Sequence, residues 1–145
     1  METLEALSAL DAKRQAEAQI ARAATCPPWR HAVFGAMMGA LIASFAFEFV
    51  IRTAILVIIL ACIPIIVRSD RKRMGMFING YRRGKTRWVA FGIVAVWLPL
   101  YAVSVHYALD RHNHVVPLVL GLVGFAIGTA GSVLWQRVFV REMGA

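Results

Sequence analysis

Glu48 is the one acid inside a long apolar run of this 145-residue chain, and Arg52 follows it four residues on. Ionisable groups at membrane depth are expensive and mark substrate paths or proton relays. A carboxylate there could take up a proton and a cationic substrate in turn, which is the chemistry of a small proton-coupled transporter. The simpler reading is an interfacial pair, with Glu48 and Arg52 meeting across one helical turn. A second group, His106, Asp110, His112 and His114, falls within nine residues. His106 and Asp110 stand four apart and can share a helix face, and His112-x-His114 could fold back on them. Imidazole and carboxylate suit zinc or copper, and histidine titrates near pH ~6.5, so an outer-face metal or pH sensor is one reading. The spacing matches no specific metal motif, and a polar turn that contains histidines is the other. No metal or cofactor is assigned to the chain.

The third group is basic. Residues 68–87 carry eight Lys/Arg against one acid, Asp70. Arg71, Lys72, Arg73, Arg82, Arg83, Lys85 and Arg87 interleave with Met74, Met76, Phe77, Ile78 and Tyr81. That composition suits a loop lying on an anionic surface, apolar side chains dipped in and cations on phosphates. Asn79-Gly80 is a turn signal within it. Flanked by apolar runs of membrane length, the cluster also marks the cytoplasmic side.

The elements that must position these groups are long apolar helices. The chain is 59% hydrophobic with a net charge of +8. Soluble domains sit nearer 45–50% apolar, and here the excess lies in blocks. Residues 32–67 form a 36-residue run whose only charges are Glu48 and Arg52. One helix of that length would reach about 54 Å, against a hydrocarbon core of about 30 Å. Two spans, 31–49 and 53–67, turning at 48–52, fit better and leave a basic segment at each end of the hairpin. Spans at 88–109 and 115–138 follow, separated by a short polar turn. Trp29, Trp88 and Trp135 fall at the basic ends of these spans, the placement of an interfacial aromatic belt. Ahead of them, residues 3–24 predict a helix with acids leading and bases following. Its Leu4, Leu7 and Leu10 make a weak apolar stripe that is either solvated or docked on a partner. Cys26-Pro27-Pro28 ends it.

The expected fold is therefore all-α. It has a helical leader over 1–28, cytoplasmic or interfacial, and a four-span transmembrane bundle over 29–141, with both termini cytoplasmic, most naturally in a bacterial inner membrane. Its packing surfaces are written in small residues. Gly121, Gly124, Gly128, Gly131 and Ser132 lie within about 100° of arc on the last helix. Gly35 and Gly39 continue to Ala43 on the first, beside the row Ala32, Ala36, Ala40, Ser44. Such rows let backbones approach in a membrane. They serve either the contact between these two helices or contact with a second copy.

Cys26 and Cys62 cannot make a disulfide framework. A phosphate-binding glycine loop, a metalloprotease helix and a nucleophile elbow are all missing from the sequence. The expectation is a non-enzymatic membrane protein, a structural or interaction subunit. Its partners are anionic lipid and either its own copies or another membrane protein, not nucleic acid, since topology accounts for the positive charge.

Overall fold

A computed structural model describes residues 2–23, 26–74 and 84–142. The described residues are helical, with no strand among them. The helices are α1 (Glu2–Ala23), α2 (Pro28–Ala43), α3 (Phe49–Met74), α4 (Lys85–Leu109) and α5 (Val115–Glu142), with a single 3-10 turn, Ser44–Ala46, after α2. Three of them are long and apolar enough to cross a membrane: 24 residues over Phe49–Lys72, 25 in α4 and 28 in α5. The first apolar helix, α2, has only 16 residues and reaches about 24 Å at ~1.5 Å per residue.

Local chemistry explains where the boundaries depart from those read in the sequence. Pro28 sits in the first turn of α2, where its missing N–H costs nothing, and Pro27 is extended with ψ 151°. So α2 starts earlier than expected. It also stops earlier, at Ala43 rather than 49. Ser44 Oγ donates to the Leu41 carbonyl at 2.7 Å, and Phe47 turns extended with ψ 161°. The chain reverses at Phe47–Glu48 instead of across 48–52, because the Glu48 carbonyl already accepts the Arg52 amide at 2.9 Å. At its other end α3 runs past Val67 to Met74, since Arg and Lys are good helix formers and no Gly or Pro intervenes after Pro64. The helix α5 likewise continues to Glu142.

Direction follows from contacts. Gly35 lies opposite Thr129 and Gly39 opposite Gly121, so α2 and α5 are antiparallel. Gly131 meets Ile93, and Gly84 meets Glu142, so α4 and α5 are antiparallel too. On the same grounds α2 and α4 are parallel, since Trp97 reaches Met38 and Ser104 reaches Ile42. The three pack with α5 central, most extensively against α2 and next against α4. By contrast α3 touches α2, the 3-10 turn and α1 only sparsely. The α1 helix lies lightly on α3 and α5, and Leu4, Leu7 and Leu10 all face outward.

Candidate functional site

The backbones of α2 and α5 approach closely. A Cβ built on Gly39 would fall 2.5 Å from the Gly121 carbonyl oxygen, and one on Gly128 3.0 Å from Gly35 Cα. On Gly35 it would strike the Thr129 hydroxyl and lie 2.6 Å from the Phe125 carbonyl. Contacts below 3 Å onto backbone cannot be relieved by rotating a side chain, so only glycine fits. Gly121 takes Ala43 in the same way, and Gly124 takes the Ile42 side chain. Gly131 belongs to a different contact, against Ile93 of α4. Ser132 does more than pack: its Oγ lies 2.8 Å from Nδ1 of the buried His31.

Hydrogen bonds from α4 close the other side of α2. The Ile42 carbonyl lies in the last turn of α2. The buried Ser104 hydroxyl donates to it at 2.9 Å, and the Trp97 indole N–H donates to the Met38 carbonyl at 3.2 Å. The Trp97 ring stacks on Tyr101 with centroids 5.1 Å apart, and Tyr101 meets Phe45 edge-on at 5.3 Å.

Arg52 ends this aromatic series. Its guanidinium sits 5.0 Å from the Phe45 centroid and 5.7 Å from that of Phe49. The expected pairing with Glu48 is thus replaced by cation–π contact, because Glu48 stands ahead of the first turn of α3 with its side chain exposed. Glu48 does not line the groove between α2 and α5. That groove, about 390 Å³, is walled by Ala36, Ala40, Ala43, Leu118, Leu122 and Phe125, with Gly39 and Gly121 as its floor.

The histidine group disperses. His106 Nδ1 and Asp110 Oδ2 lie 2.7 Å apart as an exposed pair one helical turn apart. His112 takes a left-handed backbone with φ 50°. Asn113 Oδ1 caps α5 by accepting the Val115 and Val116 amides at 3.0 and 3.2 Å. His114 is exposed beside it. No set of three His, Cys, Asp or Glu side chains placed to hold a metal occurs among the described residues. The turn is built to reverse the chain and cap a helix, which separates His112 and His114 from the His106–Asp110 pair.

Charged and polar ties between helices gather instead at the basic end. Arg30, in the first turn of α2, grips Asp70 of α3 through two hydrogen bonds: Nε to Oδ1 at 3.3 Å and Nη2 to Oδ2 at 2.5 Å. The Asp70 side chain is only 8% exposed and that of Arg30 20%. Partial burial screens the pair less than a bridge on the open surface, so it ties the start of α2 to the end of α3. Next to it, the Cys26 amide donates to Gln136 Oε1 at 3.0 Å. Gln136 stands one turn beyond Ser132 on α5, so one face of α5 holds both the start of α2 and the linker before it. Across the same end, the Glu142 carboxylate accepts the Lys85 amide. A carboxylate there complements the N-terminal dipole of α4. Gly84, with φ 146°, leaves it room: a Cβ would lie 2.6 Å from Glu142 Oε2.

Around these ties Arg68, Arg71, Lys72, Lys85 and Arg87 are exposed, and Arg87 leans over Phe91 at 5.9 Å. Trp29 and Trp88 are exposed at the same end, while Trp135 stacks on the buried Phe139 at 5.4 Å. Residues 75–83, including Arg82, Arg83 and the Asn79-Gly80 turn, lie outside the described residues, as does the side chain of Arg73. Arg30, Asp70, His31, Gln136 and Glu142 were missed by sequence reasoning. One signal did exist, since Asp70 is the only acid in a strongly basic segment.

The chain matches no protein-family model, no curated protein and no solved structure.

Proposed function

We propose that this is a non-enzymatic integral membrane protein whose four apolar helices, α2 included, cross the bilayer. Both termini and the basic segment face the cytoplasm, and the setting is a bacterial inner membrane. It acts as a structural or interaction subunit: a close-packed α2–α4–α5 unit seated on anionic headgroups through its basic end, with lipid, a second copy or another membrane protein against its remaining surfaces. The observation that carries the reading is the gathering of exposed Arg68, Arg71, Lys72, Lys85 and Arg87 at one end of the helices together with exposed Trp29 and Trp88. Cations on phosphate with indole rings at headgroup depth are what a membrane–water boundary selects. The shortness of α2 is compatible with crossing, because its ends are tied to longer neighbours and a short span draws headgroups toward it.

The test is reconstitution into nanodiscs of zwitterionic lipid with or without phosphatidylglycerol, followed by mass spectrometry of the lipids that stay with the protein. Phosphatidylglycerol should be enriched over its bulk fraction. The combined substitutions Arg71→Gln, Lys72→Gln and Arg87→Gln should return it to the bulk fraction. Equal retention of both lipids by the unaltered chain would reject the headgroup role.

A further inference from the structure

The α3 helix is attached differently from every other apolar helix. Within its membrane-length stretch, Ile59 is buried, while Val57, Ile58, Leu60 and Ile65 are all exposed. Its ties lie at its ends. At one end the chain reverses at Phe47–Glu48, and Arg52 covers Phe45 and Phe49. At the other, Asp70 is held by Arg30. Phe45 and Phe49 flank the reversal, so that end is a covalent hinge dressed by rings. The far end has no covalent link to α2, and there the ion pair between Arg30 and Asp70 joins the two helices.

Glycine contacts and buried hydroxyl bonds resist separation of α2, α4 and α5 along their lengths. Among the described residues, no such glycine contact or hydroxyl bond joins the middle of α3 to them. An ion pair differs from such contacts in resting on charge: when either charge is neutralised or captured, both hydrogen bonds lose their charge assistance at once. The desolvated partner then gains by moving into water or headgroups.

We infer that Arg30–Asp70 is a latch, and that α3 is an arm hinged at Phe47–Glu48 whose basic end swings away from an intact α2–α4–α5 unit when the latch is broken.

Spin-label distance measurements test this in lipid nanodiscs on the full chain with Cys26→Ser and Cys62→Ser. One label pair, Ile65→Cys with Trp88→Cys, reads α3 against α4. A second, Trp88→Cys with Leu134→Cys, reads α4 against α5. All three label sites are exposed. Asp70→Asn, and separately Arg30→Gln, should broaden and lengthen the first distribution while leaving the second unchanged. If both variants keep the first distribution narrow, the latch is refuted. If both distributions broaden together, the pair supports the whole fold, and the hinged arm is refuted equally.

Discussion

The α2 helix has two antiparallel neighbours, and the chain attaches them by opposite means. Against α5 it offers glycines, so that backbone meets backbone from Gly35 at one end to Gly39 and Ala43 at the other. Against α3 it offers little along its length and one charged residue, Arg30, at its start. In a bilayer the hydrophobic effect does not distinguish these neighbours, since lipid is as apolar as leucine. What distinguishes them is how many close contacts and hydrogen bonds replace lipid. Composition is no guide to this: α3 is the richest in Ile, Leu and Val near its centre, yet among the apolar helices it is the least packed. Large branched side chains around a whole circumference face lipid, while small residues on one face admit a neighbour.

The largest effect should come from filling the glycine contact. Gly39→Leu must displace the Gly121 carbonyl, 2.5 Å from the new Cβ, and the Phe125 Cβ at 3.0 Å. Overpacking against backbone costs about 3 kcal/mol. The variant should lose its folded state in mild detergent at markedly lower temperature, followed by tryptophan fluorescence. The loss should exceed that of Asp70→Asn, which releases only one end of α3. The reverse order would mean that the ion pair, rather than the glycine row, organises α2.

Ser104→Ala should come next. It removes the hydroxyl that satisfies the Ile42 carbonyl while leaving the ring series Trp97–Tyr101–Phe45 in place. Interhelical hydrogen bonds in membranes are worth about 0.6–1.7 kcal/mol, so the fall in stability should be clear but well short of that for Gly39→Leu. Equal losses would mean that the polar ties and the glycine contact form one inseparable unit.

Much of this fold is legible in the sequence, for reasons that are local. Helical stretches are readable from apolar length, and the break in residues 32–67 from a length no bilayer accommodates in one helix. Both glycine rows are readable because periodicity places them on a face, although periodicity does not say which face meets which. The ties at the basic end are not readable in this way. Arg30 and Asp70 are 40 positions apart, and Ser132 lies 101 positions from His31. No local pattern announces such pairs. The Glu48–Arg52 expectation failed for the same reason in reverse. Four-residue spacing suggested a pair, but Phe45, on the other side of the turn, offered the guanidinium a ring.

The smallest effect separates glycine as a contact from glycine as a residue type. Gly92 lies in α4, in the same parallel pair of helices as the crowded glycines of α2, but nothing stands within 4 Å of a Cβ built on it. There is no neighbour to displace, so only the helix term remains, and alanine is favoured over glycine in a helix interior by about 0.5–1 kcal/mol. Gly92→Ala should therefore raise the unfolding temperature slightly where Gly39→Leu lowers it steeply, both followed by the same fluorescence transition. A loss of stability at Gly92 would mean that something packs on that face in the membrane, and the division between an occupied α5-facing side and an open remainder would have to be redrawn. A gain would confine the requirement for glycine to positions where a neighbour stands close, above all the line where α2 and α5 touch.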